Sequence, residues 1–309
     1  MKVCLVVNPR SGHGATGKRL PAIRAAVQTY AADVTVKQTR APGDGERCAR
    51  EAVDEGADRV VAVGGDGTVH EVVNGLCGPD GPRRPDVVLG VIHGGTGGDF
   101  VRSLAMPREL DESARRVVCG APRPIDLMSV RFVDHGGEPA HRWCVNVLGF
   151  GMNGEVVRVA NASSKRFGGT LSFASATVRA LARYRPPQVR VTGQGEGEGL
   201  EWRGALTSAF VANGGYCGGG MWVGRGGDLS DGLVEVTLVP DLPTHRAILA
   251  TPHLYRGTAS NVKEVSSAKI SKLEAEALDG AIVLLDLDGE QPGRLPVSVD
   301  VIPRTLLVA

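Results

Sequence analysis

The chain has 309 residues, with 35 Lys and Arg against 34 Asp and Glu. That balance supplies no basic field for nucleic acid, so no nucleic-acid partner is expected. Six dispersed cysteines without a C-x-x-C pair, and no apolar run near bilayer length, point to a cytoplasmic protein without zinc or disulfides.

Residues 3–7 read as a strand, broken by Asn8-Pro9-Arg10-Ser11-Gly12, after which Leu20, Ile23, Val27 and Tyr30 trace a helical face. Residues 34–37 predict a second strand ending at Gln38-Thr39-Arg40. Cys48, Ala49, Ala52 and Val53 predict a helix over 44–55, which Gly56 ends. The β-branched run 60–63 predicts a buried parallel strand that stops at Gly64-Gly65-Asp66-Gly67. Val69, Val72, Val73 and Leu76 then fall on one helix face, and the spacing of Thr68 and Glu71 suggests a capping box at its start. Residues 87–92 predict another strand, followed by the glycine-rich stretch His93 to Phe100. Repeated strand–turn–helix units predict a parallel sheet with its ligand at the carboxyl ends of the strands.

The pattern changes after Pro122. Ile125, Leu127, Val130 and Phe132 begin strand-like segments that continue at 143–149, 188–192, 200–212, 233–239, 281–287 and 296–302. Helical spacing returns at 169–184 (Leu171, Ala174, Val178, Leu181) and at 243–256, and 193–199 reads as an exposed hairpin loop. Many strands separated by turn signals suggest a β-sandwich. The expected organisation is an α/β nucleotide domain over 1–122 and a β-sandwich acceptor domain over 123–299, with the last strand, 300–309, returning to the first.

Two motifs near the N-terminus mislead. Gly12 to Gly17 spells G-x-G-x-x-G, but Asn8-Pro9-Arg10-Ser11 separates it from the strand and no acid ends the second strand, which argues against a dinucleotide fold. Gly12, Gly17 and Lys18 also mimic a Walker loop, yet Arg19 stands where a magnesium-binding hydroxyl is needed.

Glycines at the Gly64–Gly67 turn let backbone approach a ligand, and the helix after it offers free N–H groups, as a phosphate site requires. Asp66 would repel a phosphate there unless a metal or a proton transfer needs it. By themselves, Asp228 and Asp231 read better as turn residues than as metal ligands, and Asp288-Gly289 better as a hairpin turn. His70 reads as a solvated helix residue.

Taken in order, Asn8-Pro9-x-Ser11-Gly12, Gly64-Gly65-Asp66-Gly67-Thr68, Gly95-Thr96-x-x-Asp99-Phe100, Asp228-Leu229-Ser230-Asp231-Gly232-Leu233 and Asp288-Gly289-Glu290 resemble the diacylglycerol kinase catalytic-domain family. That family includes soluble bacterial lipid kinases and sphingosine kinases. GGDGT is also similar to the NAD kinases. The resemblance implies an α/β domain, a β-sandwich and ATP in the cleft between them. It implies nucleotide contacts at Asn8, Arg10, Ser11, Gly12, Thr39, Gly64, Gly65, Gly67, Thr68 and Thr96. Magnesium would be held by Asp228, Asp231 and the carbonyl of Leu233. Glu290 would accept the proton of an alcohol, with Asp288 and Asp66 as further catalytic candidates. The implied reaction is ATP-dependent phosphorylation of a lipid hydroxyl, on diacylglycerol or a sphingoid base. Alternatives are a non-lipid alcohol, NAD, or a nucleotide-binding regulator without catalysis. Peripheral membrane contact and a homodimer are further expectations. Three departures stand out: His93 replaces the family's Pro and Gly98 its Asn in the third loop, and Gly224-Arg225-Gly226-Gly227 replaces A-P-x-A.

Overall fold

The computed structural model describes residues 1–95, 97–163, 184–195, 197, 199–224, 228–243, 246 and 252–309. The first half runs β1 (Lys2–Val7), α1 (Ala15–Gln28), β2 (Asp33–Gln38), α2 (Asp44–Asp54), β3 (Arg59–Gly64) and α3 (Asp66–Leu76). A short hairpin, β4 (Cys77–Gly78) and β5 (Gly81–Pro82), precedes β6 (Val88–His93), α4 (Asp99–Ser103) and α5 (Leu110–Cys119). Strands β2, β1, β3 and β6 pair in that order, all parallel. The runs KVCLVV, RVVAVG and VLGVIH are almost wholly buried, as strands covered on both faces must be. Helix pairs α1–α5 and α2–α3 provide that cover. The chain steps from β1 outward to β2 and then back across to β3. The carboxyl ends of β1 and β3 therefore flank a switch point, where a crevice opens.

The second half contains β7 (Arg123–Asp134), β8 (Pro139–Cys144), β9 (Val147–Gly151), α6 (Met152–Ser163), β10 (Gln188–Gly195) and β11 (Leu200–Ala212). It continues with β12 (Tyr216–Cys217), β13 (Met221–Trp222), β14 (Val234–Pro240), β15 (Ser266–Ala277), β16 (Leu285–Leu287) and β17 (Gly293–Val308). These strands pair antiparallel around their own apolar core, built from Leu148, Phe150, Val191, Leu206, Val236 and Leu273 among others. β17 crosses between the halves. It pairs antiparallel with β7 and β15, and its end, Leu307 and Val308, lies parallel to Val88 and Leu89 of β6. Among the described residues the result is one mixed 13-stranded sheet, with β4–β5 and β12–β13 as separate two-stranded pairs.

Several expectations change at this level. The strand expected at 143–149 is two, β8 and β9, because the N–H groups of Val145, Asn146 and Val147 turn to the carboxylate of Asp288. The strand expected at 281–287 shortens to β16: the Ala281 N–H is taken by Asp279 and Ile282 is 65% exposed. β10 and β11 pair antiparallel as far as Gly193 and Leu200, but β10 runs on to Gly195 against β15, so 193–195 of the expected loop are strand, and 196 and 198 lie outside the described residues. α5, α6 and β15 were not anticipated. The helical face of Leu171, Ala174, Val178 and Leu181 lies outside the described residues; of 243–256, residues 252–255 are helical.

Candidate active site

The turns after β1, β3 and β6 meet the turn after β16 around one cavity of about 910 Å³. Asn8, Arg10, Ser11, Gly12, Thr39, Gly65, Asp66, Gly67 and Thr68 line it from the first half, and Asp288, Gly289 and Glu290 from the second. Gly64 ends β3 just behind them. Thr96 and Arg225 lie outside the described residues. The loops are stitched together: the Thr16 hydroxyl donates to the Gly94 carbonyl and accepts from Ser11, and the Asn8 N–H donates to Val63.

α3 starts earlier than its sequence suggests. Gly65 is extended and stands at the N-cap, and the N–H groups of Thr68 and Val69 both donate to its carbonyl. Thr68 is thus inside the helix and buried, so the expected capping box does not form. Its partner Glu71 instead accepts from the N–H groups of Gly43 and Gly45, both at 2.7 Å, and holds the start of α2. The N–H groups of Asp66 and Gly67 have no partner among the described residues, and both residues line the cavity at the positive end of the helix dipole.

Asp66 answers its own electrostatic problem. Its Oδ2 accepts from Gly98 and Asp99 N–H at 3.0 and 3.3 Å, and its Oδ1 from Phe100 N–H at 3.2 Å. The carboxylate therefore anchors the third loop and the first turn of α4. The two departures in that loop touch each other. Gly98 has φ +73°, and a Cβ there would lie 2.6 Å from Cε1 of the His93 ring. The imidazole lies where a side chain at 98 would begin, so glycine at 98 accompanies histidine at 93. Asp99 is buried between Arg102, at 2.8 Å, and the Gly219 N–H, at 2.7 Å; burial raises its carboxyl.

The acidic turn is a tight hairpin. Asp288 and Gly289 have φ +51° and +90°, and Glu290 N–H donates to Leu287 O at 2.8 Å, the geometry of a type I′ turn. The turn reading of Asp288-Gly289 therefore holds, and both residues also line the cavity. Asp288 is buried and fully engaged: it accepts from Val145, Asn146 and Val147 N–H, from the Cys144 thiol and from His70. Burial pushes its carboxyl up, but the His70 bond and the N–H groups prevail and hold it below its ordinary value. His70 is a correction: it is 6% exposed, with Nδ1 3.0 Å from Asp288 Oδ2, and not a solvated helix residue. Asn74, one turn on, braces it and bonds to Trp143.

Glu290 is the carboxylate that stays open. Its Oε1 lies 2.6 Å from the point where a Cβ on Gly67 would sit, so it rests on the first turn of α3. Burial raises its carboxyl, His70 opposes and Glu71 adds to the shift. Asp286, which sequence reasoning did not single out, also lines the cavity. One oxygen accepts from Gly289 N–H at 2.8 Å, and burial, with Asp288 and Glu290 nearby, pushes its carboxyl up to about 7. A side chain alternating with Asp288 in Leu285-Asp286-Leu287-Asp288 was the available signal.

Asp228, Asp231 and Leu233 do not line this cavity. They form the turn before β14, where Asp228 accepts from Ser230 and Asp231 from Leu233 N–H, with the Lys269 ammonium 3.7 Å from Asp231. Beneath them Asp126 is fully buried, bonded to Gly232 and Arg304 N–H. Burial raises its carboxyl, and the charges of Asp231 and Asp228 raise it further. Oxygen donors crowded by like charge suit a magnesium ion. Among the described residues, no three acidic, His or Cys side chains converge closely enough to hold a metal alone.

Residues 2–130 match the diacylglycerol kinase catalytic domain, and residues 146–309 match the YegS C-terminal NAD kinase β-sandwich-like domain. The chain is 30% identical over 270 residues to a Xanthomonas axonopodis protein named "Probable lipid kinase YegS-like", covering 87% of this chain and 80% of that one. It is 28% identical over 293 residues to a Bacillus subtilis protein named diacylglycerol kinase, covering 94% and 90%. A crystal structure of a diacylglycerol kinase from Bacillus anthracis superposes with TM-score 0.71 at 20% identity, over 99% of this chain and 96% of that one. Yeast NADH kinase superposes at 0.52 with 11% identity, over 100% and 82%. At those identities the two structures show likeness of fold alone.

Proposed function

The chain belongs to the diacylglycerol kinase catalytic-domain family, and from that premise we propose that it transfers the γ-phosphoryl group of ATP to a lipid hydroxyl. One observation carries the reading: Glu290, from the second half, lies against the first turn of α3, from the first half, inside the shared cavity. The free N–H groups of Asp66 and Gly67 face the phosphates of the nucleotide and stabilise the charge that spreads over the transferring group. Asn8, Arg10, Ser11, Gly12 and Thr39 hold the rest of the nucleotide. Glu290 accepts the proton of the acceptor hydroxyl as the new O–P bond forms and the bond to the departing ADP breaks. Its raised carboxyl makes it a better base than an ordinary glutamate. Asp288 keeps the turn in place, and Asp66 keeps the third loop in place.

Asp228, Asp231 and the Leu233 carbonyl would hold magnesium, which supplies neutralising charge beside Asp126. Among the described residues no helix is long and apolar enough to cross a membrane, so a lipid acceptor would be reached by peripheral contact. The test is label transfer from γ-labelled ATP into a mixed lipid extract. Counts in the lipid phase support the proposal. Counts only in water-soluble products favour a non-lipid alcohol or NAD, and no transfer favours a regulator.

A further inference from the structure

Behind the third loop lies a second cavity, of about 390 Å³, that the reaction above does not use. Arg19 of α1, His93 at the end of β6, Arg102 of α4 and Arg108 line it, and among the described residues no aspartate or glutamate does. Arg102 is committed to Asp99 and lies over the Tyr216 ring. Arg19 and Arg108 have no hydrogen-bond or ion-pair partner among the described residues. His93 Nδ1 is buried without a partner, and an unpaired buried polar atom in a native fold calls for an explanation. The acids next to lining residues in the chain are Asp99, whose carboxylate is taken by Arg102 and the Gly219 N–H, and Glu109, Asp111 and Glu112; none is among the described lining residues, and Asp111 accepts from the Tyr30 hydroxyl. The remaining wall is apolar, from Ile92, Val101, Met106 and Leu110.

We propose that this cavity is a second anion site, which takes a phosphate monoester. Guanidinium groups bind phosphate oxygens through paired N–H donors, and the fork of an arginine fits a tetrahedral anion at least as well as a carboxylate. The apolar wall suits an organic ester, whose carbon part needs somewhere to lie, over inorganic phosphate. The size falls within the range of small-molecule pockets. Gly97 lines both cavities, so the two sites adjoin at the third loop. A soluble sugar or glycerol phosphate and a lipid phosphate headgroup present the same chemistry. The proposal does not depend on the kinase reading.

The experiment compares the wild-type chain with the double variant Arg19→Ala, Arg108→Ala. Both side chains are exposed, and an unchanged urea unfolding midpoint confirms an intact fold. Each protein is titrated with glycerol phosphate by calorimetry, and floated with phosphatidylcholine vesicles with and without phosphatidate, all beside saturating ATP analogue. The expected result is binding to at least one source with the analogue present, weakened about tenfold or more in the double variant, since two charge-assisted contacts are lost. The arm that responds identifies the source. Binding to neither source, binding that the ATP analogue displaces, or binding that the double variant leaves unchanged would overturn the proposal.

Discussion

His70 and Asp288, 218 positions apart in the chain, meet with Nδ1 3.0 Å from the carboxylate. That bond joins α3, which presents the phosphate-facing turn, to the hairpin that presents Glu290. Asp288 also gathers three consecutive N–H groups between β8 and β9. Replacing it with alanine strands those donors in a buried site. A loss of about 3 kcal/mol or more in urea unfolding is expected; a loss below about 0.5 kcal/mol, the scale of a surface change, would contradict it. His70→Asn, which can still donate to the carboxylate, should cost clearly less than His70→Ala.

The same carboxylate gives a pH signature. Its folded value is held below its unfolded one, so its contribution is present above the unfolded value, about 3.9, and is lost as pH falls through the folded value. The stability difference between wild type and Asp288→Asn should therefore be constant near neutrality and shrink below about pH 4. A difference that grew on acidification would have the wrong sign.

Asp66 tests the third loop. With three N–H groups on one carboxylate, Asp66→Asn should weaken ATP binding about 10- to 100-fold, measured by calorimetry, because the loop loses its anchor. Unchanged affinity would mean that the loop holds its place without it.

Gly98 and His93 should be coupled. Gly98→Asn alone puts a side chain into the imidazole ring and should destabilise the protein by about 1–3 kcal/mol. Combined with His93→Ala, the part of that cost due to the clash should disappear, leaving the backbone strain of a non-glycine residue at φ +73°. Additive effects in the double-mutant cycle would deny the contact.

Asp286 should make nucleotide affinity depend on pH. Its carboxyl, pushed up to about 7, is largely neutral at pH 6 and charged at pH 8, where it repels phosphates. ATP affinity should fall more steeply from pH 6 to 8 in wild type than in Asp286→Asn. Identical pH profiles would remove Asp286 from the electrostatics of the cleft.

The first half was legible because its strands are uninterrupted apolar runs and its turns are glycine. β15 was not. In SSAKISKLEAEA the buried residues Ile270, Leu273 and Ala275 lose period two between the first pair, where the ladder with β10 shifts register, and charged neighbours hide the rest. α5 buries only Ser113, Ala114, Val117 and Val118 in ten residues, too short a face to stand out. Within the site, the glycine turns and Glu290 were readable from their motifs. His70 was misread because its burial depends on Asp288, which only the fold brings near; the polar pair His70 and Asn74, four apart on one face, was the sole local hint. Asp126, a lone acid between Ile125 and Leu127, carried a similar signal in a strand.

The most direct test is Glu290→Gln, which keeps shape and removes the base. Single-turnover phosphoryl transfer to the acceptor identified from the lipid extract should slow about 100- to 10,000-fold, with ATP affinity unchanged. Near-normal transfer with intact ATP binding would contradict the assignment of Glu290 as the proton acceptor.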